Sequence, residues 1–512
     1  MDYIDNFKTL LWPAVINDIE DVKVEHRNLL KAYFHLLKWG PDPKFIERFE
    51  YVAENSRSDG FSCFILSLTW LHLGDADKCM AASNKIVGKN SIWQKAWVYI
   101  EFLGGTGGKD KLIDYLTRLL AASSKEDLGW ITSACVRGLS YGKVDIHSVV
   151  NVYDSFGYCF EYENNYFIKV LKFEEYHKKE DSIDGLLNYE KSMVDYWGYD
   201  ARIVKNILNI LSSVDRYKDE LTPFVLNVNK VVPANIKWKG ILATYLAIGM
   251  WNNGKIDSAI ELLQKSLGFR SVKSDELTRY SLAFFDYILL LCASLKNNGD
   301  MYKNRLGIEA RPLYVFGESH SMSPANVLFK LNDNYYKGVT SITLGLKAFH
   351  IGKADNIHYK MFCDNVKNIP KGEDALITVG EIDCRIEEGI YPASIKKNIP
   401  YAQLVDETVE AFFDSLVPLL KDMMNIYVQG VPAPTESRVM GINENEYDVN
   451  EYLDMVAYYN LTVKNRCREN GWYFIDVYSA TVGEKMFSNG KWHIDNTHIN
   501  PAFYSCAGKY LI

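Results

Sequence analysis

The sequence predicts a helical N-terminal part followed by an α/β part with a parallel sheet. Up to about residue 305, apolar residues recur at spacings of three and four, which is the period of amphipathic helices. Beyond that point, short apolar segments alternate with helical stretches, as in a parallel sheet covered on both faces. The chain has 512 residues, more than one hydrophobic core usually covers. We therefore expect two domains, 1–305 and 306–512.

Two segments of the helical part look like weak copies of one unit. They are LSLTWLHLGDADKCMAASNKIV (66–87) and LATYLAIGMWNNGKIDSAIELLQKSL (242–267). Each predicts a helix, a turn at Gly74 or Gly254, and a second helix that begins near an aspartate. The segments resemble tetratricopeptide repeats, although no fixed period connects them. We expect an irregular helical-repeat domain, and a non-repetitive helical bundle is the alternative.

The α/β part follows a polar linker at 297–312 and contains five strand candidates. An amphipathic helix at 449–470 precedes the last of them. In open parallel sheets, functional residues gather where strands end in loops at their carboxyl edge. The candidates are LYVF (313–316), SITL (341–344), DALITV (374–379), NIYVQGV (425–431) and WYFIDV (472–477).

Composition narrows the classes of function. A chain with 48% apolar and 24% charged residues is typical of a soluble globular protein, and the net charge of −8 argues against nucleic acid as a partner. The N-terminus lacks the basic residues of a signal peptide, and the longest apolar run, 287–295, is about half a membrane span. Nine scattered cysteines without a CxxC pair indicate reduced thiols. We expect a cytoplasmic protein with no membrane span.

Four positions after predicted strands carry residues suited to acyl transfer. They are the Gly-Glu-Ser-His block at 317–320, Gly345, the GEIDCR block at 380–385, and Asp495 with His498. Acyl transfer through a serine needs a base, an acid that orients the base, and N–H donors for the oxyanion. The backbone of the serine and of Gly345 could supply those donors. Asp495 would hold one imidazole nitrogen of His498 while the other faces the serine.

These blocks resemble those of the SGNH/GDSL hydrolase family. GESHS at 317–321 matches the family's first block with glutamate in place of aspartate, and DNTH at 495–498 matches its last block in full. VQGVPAP at 428–434 is similar to the fourth strand of that fold. The resemblance implies a flavodoxin-like α/β domain over 306–512. It also implies a catalytic triad of Ser319, Asp495 and His498.

The third block departs from the family's Gly-x-Asn-Asp pattern. Ile382 stands where the family has the oxyanion-binding asparagine, and isoleucine cannot donate a hydrogen bond. The loss of such a donor costs roughly 3 kcal/mol of transition-state stabilisation. Arg385 could supply the missing positive charge, or it could pair with Glu381 or Asp383 and fix the loop. Both interpretations stay open on the sequence.

The remaining polar residues of these blocks also have two interpretations. Ser319 could cap a helix instead of acting as a nucleophile, and His320 could pack in the loop or contact substrate. Cys384 is expected to be a small buried residue. His493 forms an H-x-D-x-x-H spacing with Asp495 and His498, but no further ligands cluster with it, so we expect no metal site.

The leading hypothesis is a serine esterase or O-acyltransferase that forms an acyl-serine intermediate. The resemblance implies an acetyl group on a carbohydrate, such as a surface polysaccharide or its precursor. It implies no bound cofactor, with acetyl-CoA as a possible acyl donor. The helical part would present the acceptor or bind a protein partner. The alternatives are a scaffold protein with a degenerate hydrolase domain and a glycan-binding module without chemistry.

Overall fold

A computed structural model describes most of the chain as a mixed α/β protein. It is 66% helical, with a six-stranded, mostly parallel, curled sheet in the C-terminal part. The described residues are 24–40, 47, 51, 60–87, 91–124, 127–139, 143–144, 146–158, 180, 182–197, 199, 201–232, 235–272, 276–297, 309–353, 356–439 and 447–512.

The chain forms two compact units. The first comprises Met1–Lys179 and Ser192–Ile203, and the second comprises Glu180–Lys191 and Val204–Ile512. The helices from Val204 onward therefore share a unit with the sheet, whereas the sequence placed the boundary near residue 305. The predicted linker at 297–312 lies largely outside the described residues.

The helices of the first unit include the first predicted hairpin. Its turn contains Gly74, and the Asp75 side chain caps the second helix by accepting from the Lys78 N–H. The helices are α1 (Val24–Trp39), α2 (Gly60–His72), α3 (Ala76–Asn84), α4 (Ser91–Thr106), α5 (Lys109–Ala122), α6 (Leu128–Leu139) and α7 (Ile146–Ser155).

Six further helices precede the sheet along the chain. The second predicted hairpin is present as α11 and α12, with Gly254 in the turn between them. The six are α8 (Ile183–Trp197), α9 (Ala201–Ser213), α10 (Lys218–Asn229), α11 (Ile236–Asn252), α12 (Ile256–Gln264) and α13 (Glu276–Asn297).

Helix α13 contains a long apolar stretch. By length and composition alone, Thr278–Lys296 is long enough and apolar enough to cross a membrane. However, 56% of this stretch is buried inside the protein, and a core helix passes the same test. The stretch is therefore weak evidence for a membrane span.

The sheet consists of five parallel strands with one antiparallel strand at an edge. The spatial order is β2-β3-β1-β4-β5-β6, and only β2 and β3 pair in antiparallel fashion. Counted along the chain, the parallel strands lie in the order 2-1-3-4-5. The strands are β1 (Arg311–Gly317), β2 (Leu328–Leu331), β3 (Asn334–Ile342), β4 (Asp374–Thr378), β5 (Ile426–Gln429) and β6 (Tyr473–Ile475).

Helices that alternate with these strands cover the sheet. Apolar residues of α17 and α19, such as Phe412 and Val456, form one buried cluster with Ile377 and Val428 of the strands. The helices are α14 (Ala348–Ile351), α15 (Ile357–Lys367), α16 (Ile390–Lys397), α17 (Tyr401–Leu419), α18 (Glu436–Val439), α19 (Val449–Glu469) and α20 (Val477–Thr481).

The structure confirms a strand at each of the five predicted positions and a helix at 449–470. The prediction at 341–344 covers only the end of β3, which begins at Asn334. Sequence analysis missed the β2–β3 hairpin, whose turn places Asn332 at a φ of 51°. Asparagine tolerates this left-handed conformation better than most residues, so the turn is detectable in principle.

We predict that Gly317→Ala destabilises the second unit. A Cβ at Gly317 would overlap the carbonyl oxygen and hydroxyl of Thr378 on the neighbouring strand β4. Backbone atoms of a central strand cannot move aside easily, so we expect a cost of about 2 kcal/mol or more. Scanning calorimetry should show a melting temperature lower by about 4 °C or more.

Gly268→Ala is the matched control. Its Cβ would make only ordinary contacts with the Ile236 side chain, the nearest at 3.6 Å. If Gly317→Ala and Gly268→Ala both left the melting temperature unchanged, this result would contradict the close approach of β1 to β4.

Candidate active site

Ser319, His498 and Asp495 form a continuous hydrogen-bonded chain. The Ser319 Oγ lies 2.8 Å from the His498 Nε2. The His498 Nδ1 lies 2.7 Å from the Asp495 Oδ2. These distances are those of a nucleophile, a base and the acid that orients the base. The structure thus brings together three predicted residues from distant parts of the chain.

Local backbone geometry places each of the three side chains. Ser319 begins a 3₁₀ turn directly after β1, and Glu318 caps that turn by accepting from the His320 N–H. Asp495 accepts from the backbone N–H of Thr497 at 2.7 Å and of His498 at 2.6 Å through its Oδ1. Such a turn folds the carboxylate back onto its own loop, so the second oxygen meets the His498 ring.

Asp495 is held as a carboxylate. Burial by itself would raise the pKa of Asp495, but the neighbouring His498 and the two backbone N–H donors outweigh it and lower the pKa below its usual range. A carboxylate at this point keeps the His498 Nδ1 protonated. The His498 Nε2 is then free to accept a proton.

His320 carries a positive charge beside the triad. Its Nδ1 lies 2.7 Å from the Glu318 Oε1, and its Nε2 lies 3.2 Å from the Thr497 carbonyl oxygen. A carboxylate and a carbonyl can only accept, so both ring nitrogens must carry hydrogen. Burial by itself would lower the pKa of His320, but Glu318, followed by Glu381 and Asp495, raises it.

Glu318 is the anionic partner of this pair. Burial by itself would raise the pKa of Glu318, but His320, Ser319 and His498 outweigh it and lower the pKa to about 2. The Ser319 Oγ also lies 2.5 Å from the Glu318 Oε2. The hydroxyl therefore has one hydrogen and two acceptors, Glu318 and His498.

Ser319 and His498 open into a cavity that is connected to solvent, with about 440 Å³ of empty space that includes part of the open solvent. Ser319 and His498 form part of its wall, and helix α13 contributes Tyr280, Phe284 and Tyr287. Sequence analysis did not single out these aromatic residues. The remaining lining residues are Ala283, Glu318, Gly345, Ile382 and Arg385.

Two backbone N–H groups are available at the cavity. In the part of the chain that the structure describes, neither the Ser319 N–H nor the Gly345 N–H donates in a turn or ladder hydrogen bond. Gly345 has a φ of +74°, a conformation that favours glycine. Both lie at the cavity, as the predicted oxyanion site requires.

Ile382 and Arg385 both line the cavity, and Arg385 pairs with Glu381 as the second interpretation expects. The guanidinium binds Glu381 with its Nε at 2.9 Å and its Nη2 at 2.8 Å. Its Nη1 donates to the Glu388 Oε1 at 3.0 Å. Arg385 is thus paired with two carboxylates that fix its loop.

Glu381 forms ion pairs with two arginines, Arg385 and Arg438. Its carboxylate also accepts from the Arg438 Nη1 at 3.0 Å. The same nitrogen of Arg438 donates to the Thr497 Oγ1 at 2.5 Å. Sequence analysis did not single out Arg438 or Thr497. Together they connect the loop after β4 to the turn that carries Asp495 and His498.

Asp383 lies outside the cavity. Its carboxylate accepts from the backbone N–H of Ala348 at 2.7 Å and of Phe349 at 3.0 Å, at the start of α14. Burial outweighs these two donors and raises the pKa of Asp383 to about 6. The aspartate therefore fixes a loop and does not face the substrate side, unlike the expectation from its block.

One group of potential metal ligands is present among the described residues. Oxygen and nitrogen atoms of Glu318, His320 and Glu381 lie within 4.8 Å of one another. Their atoms are already engaged by a hydrogen bond or ion pair to Ser319, to each other, or to the two arginines. His493 belongs elsewhere, since its Nδ1 lies 2.8 Å from the Ser488 Oγ. Among the described residues, His493, Asp495 and His498 are not such a group.

Cys384 is buried, with 3% of its surface exposed. Burial, followed by Asp383 and Glu381, raises the pKa of its thiol well above the usual value. A protonated thiol is a poor nucleophile. Cys384 is therefore a packing residue, as expected from the sequence.

No protein-family model, curated protein or solved structure matches this chain.

We predict that Glu318→Gln lowers the pKa of His320. The substitution removes the carboxylate that raises this pKa most, and burial then favours the neutral ring. NMR titration of the histidine ring protons should show His320 losing its proton below its ordinary value of about 6.5. The signal is assigned by its absence in His320→Gln.

Glu388→Gln serves as the control, since Glu388 binds Arg385 and Lys347 rather than His320. A His320 ring that keeps its proton above neutral pH in Glu318→Gln would rule out the proposed ion pair.

Proposed function

We propose that this protein is a serine esterase or O-acyltransferase that works through an acyl-serine intermediate. The observation that carries the proposal is the chain from the Ser319 Oγ through His498 to Asp495, at 2.8 and 2.7 Å. A cavity beside the hydroxyl and two uncommitted N–H groups add the remaining requirements for acyl transfer.

The reaction follows from these positions. The Ser319 hydroxyl attacks the acyl carbonyl carbon while His498 takes its proton, and the Ser319 and Gly345 N–H groups hold the oxyanion. Collapse of the tetrahedral intermediate breaks the bond to the leaving group, which takes the proton from His498. Water or an acceptor hydroxyl then attacks the acyl carbon while His498 takes its proton. The bond from the acyl carbon to the Ser319 Oγ breaks, and the Ser319 Oγ takes the proton back from His498.

The fold supports an SGNH-like assignment for the α/β part. The parallel strands lie in the order 2-1-3-4-5, the order found in flavodoxin-like sheets. Ser319 follows β1, where this order reverses, and such switch points are where α/β proteins bind ligands. The helical hairpins with turns at Gly74 and Gly254 support a tetratricopeptide-like assignment for the helical part.

The substrate is proposed to carry a short, uncharged acyl group. Tyr280, Phe284 and Ile382 make one side of the cavity apolar, and Arg385 is neutralised by its two carboxylates. Acetyl is the simplest such group. The donor would be an ester or acetyl-CoA, and the acceptor a carbohydrate hydroxyl or water. We place this reaction in the cytoplasm, with the helical part as the site that presents the acceptor or binds a protein partner.

Because of Ile382, we expect a low turnover rate. It lines the cavity at the position where the resemblance implies an asparagine donor. The absence of one oxyanion donor costs on the order of a hundredfold or more in rate. The same observation favours the second candidate, a binding protein with a degenerate hydrolase domain, and the next experiment separates the two.

We predict that Ser319→Ala abolishes turnover of 4-nitrophenyl acetate by at least about a thousandfold, because the nucleophile is lost. A fluorophosphonate probe should label the wild-type protein at Ser319, with the Oγ–P bond replacing the P–F bond. Mass spectrometry of the labelled peptide locates the adduct.

Ser321→Ala is the matched control. Ser321 is a buried serine of the same turn, and its hydroxyl donates to the Glu318 carbonyl oxygen at 2.7 Å. This variant should keep most of the activity and the labelling. Full activity in Ser319→Ala would contradict a mechanism with Ser319 as nucleophile. A wild-type protein that is inactive and is not labelled by the probe would favour the binding-protein alternative.

We predict that Phe284→Ala widens the acyl preference. Phe284 lines the cavity and is 8% exposed, so its removal makes room for a longer acyl chain. The ratio of kcat/KM for 4-nitrophenyl hexanoate to that for the acetate should rise about tenfold, from burial of additional CH₂ groups.

Leu290→Ala is the control on the same helix, since Leu290 is 37% exposed and is not a lining residue of this cavity. An acyl preference that stays the same in both variants would show that the acyl group does not lie against α13.

A further inference from the structure

Tyr287 of helix α13 stacks on the catalytic imidazole. The ring centroids of Tyr287 and His498 lie 3.8 Å apart, and the ring planes are inclined by 15°. Tyr287 is buried, with 1% of its surface exposed, so its ring is fixed by the surrounding packing. The His498 ring therefore packs with one face against the Tyr287 ring, and its Nδ1 edge is hydrogen-bonded to Asp495.

The Tyr287 hydroxyl links the two catalytic loops. It lies 2.8 Å from the Ser323 Oγ, and the Ser323 hydroxyl donates to the Ile499 carbonyl oxygen at 2.7 Å. Because Ser323 has only one hydrogen, the tyrosine must be the donor in the first bond. Ser323 follows the turn that carries Ser319, and Ile499 directly follows His498.

The same loops have further anchors on α11 and α13. The Trp251 Nε1 donates to the Met322 carbonyl oxygen at 3.1 Å. The Ser294 Oγ donates to the Asn500 Oδ1 at 2.7 Å. These contacts hold the same two loops. The helices therefore fix the distance between nucleophile and base from outside the sheet.

We propose that Tyr287 is a positioning residue for acyl transfer that acts through His498. The inference rests on the proposed function. The ring fixes the plane of the imidazole so that its Nε2 faces the Ser319 Oγ. When the proton moves from Ser319 to His498, the new positive charge lies over the aromatic face, an arrangement that stabilises a cation.

The test compares Tyr287→Leu and Tyr287→Phe in the full-length protein. Tyr287→Leu removes the ring, so kcat for 4-nitrophenyl acetate should fall about tenfold or more while KM changes less than about threefold. The rate of fluorophosphonate labelling at Ser319 should fall in parallel. Tyr287→Phe keeps the ring and should retain about a third or more of kcat.

Tyr245→Leu is the matched control. Tyr245 is equally buried at 1% exposed, lies in α11, and donates its hydroxyl hydrogen to Asn209. Its loss should lower the melting temperature without a comparable fall in kcat. Tyr287→Met, in which a flexible apolar side chain fills the space, repeats the test if the leucine variant does not fold.

A kcat in Tyr287→Leu or Tyr287→Met equal to that of Tyr245→Leu would overturn the inference. A loss in Tyr287→Phe as large as in Tyr287→Leu would also overturn it, because the ring would then not be the cause. Failure of the proposed function is a separate result: activity would persist in Ser319→Ala.

Discussion

The pairing of β1 with a parallel neighbour on each side is the constraint on which the site depends. β3 lies on one side of β1 and β4 on the other. The loops that follow β3 and β4 therefore run in different directions at the point where the chain leaves β1. Ser319 follows β1, Gly345 follows β3, and residues 382–385 follow β4. One serine, one glycine N–H and one arginine thereby reach a common cavity, although 66 residues of sequence separate the first and last.

Paired charges behind the cavity hold this arrangement. Glu318 is compensated by His320, and Glu381 lies between Arg385 and Arg438. A buried carboxylate without such a partner would cost several kcal/mol of folding free energy. Breaking any of these ion pairs would therefore destabilise the loops that it connects. Arg438 extends the network to Thr497, next to His498. The positions of His498 and Ser319 thus depend on electrostatics as well as on backbone pairing.

The sequence was sufficient for five of the six described strands and for the three residues of the hydrogen-bonded chain, because apolar runs and short polar blocks at their ends are local signals. It did not reveal the aromatic wall, since Tyr280, Phe284 and Tyr287 have the spacing of any buried helix face. Asp383 was assigned to the substrate side because its block follows a strand, whereas its direction is set by the N–H groups of α14. Arg438 has no motif at all. Contacts between distant segments decided each of these cases.

The aromatic wall of α13 also determines where the second unit can be divided. A fragment that begins at residue 306 retains every polar residue of the predicted motifs, but it lacks the rings that cover the His498 imidazole and close the cavity. It would expose that apolar surface to water and leave the histidine turn without two of its anchors. The unit that contains these rings comprises Glu180–Lys191 and Val204–Ile512, so exchange of the helical region between proteins would carry part of the cavity wall with it.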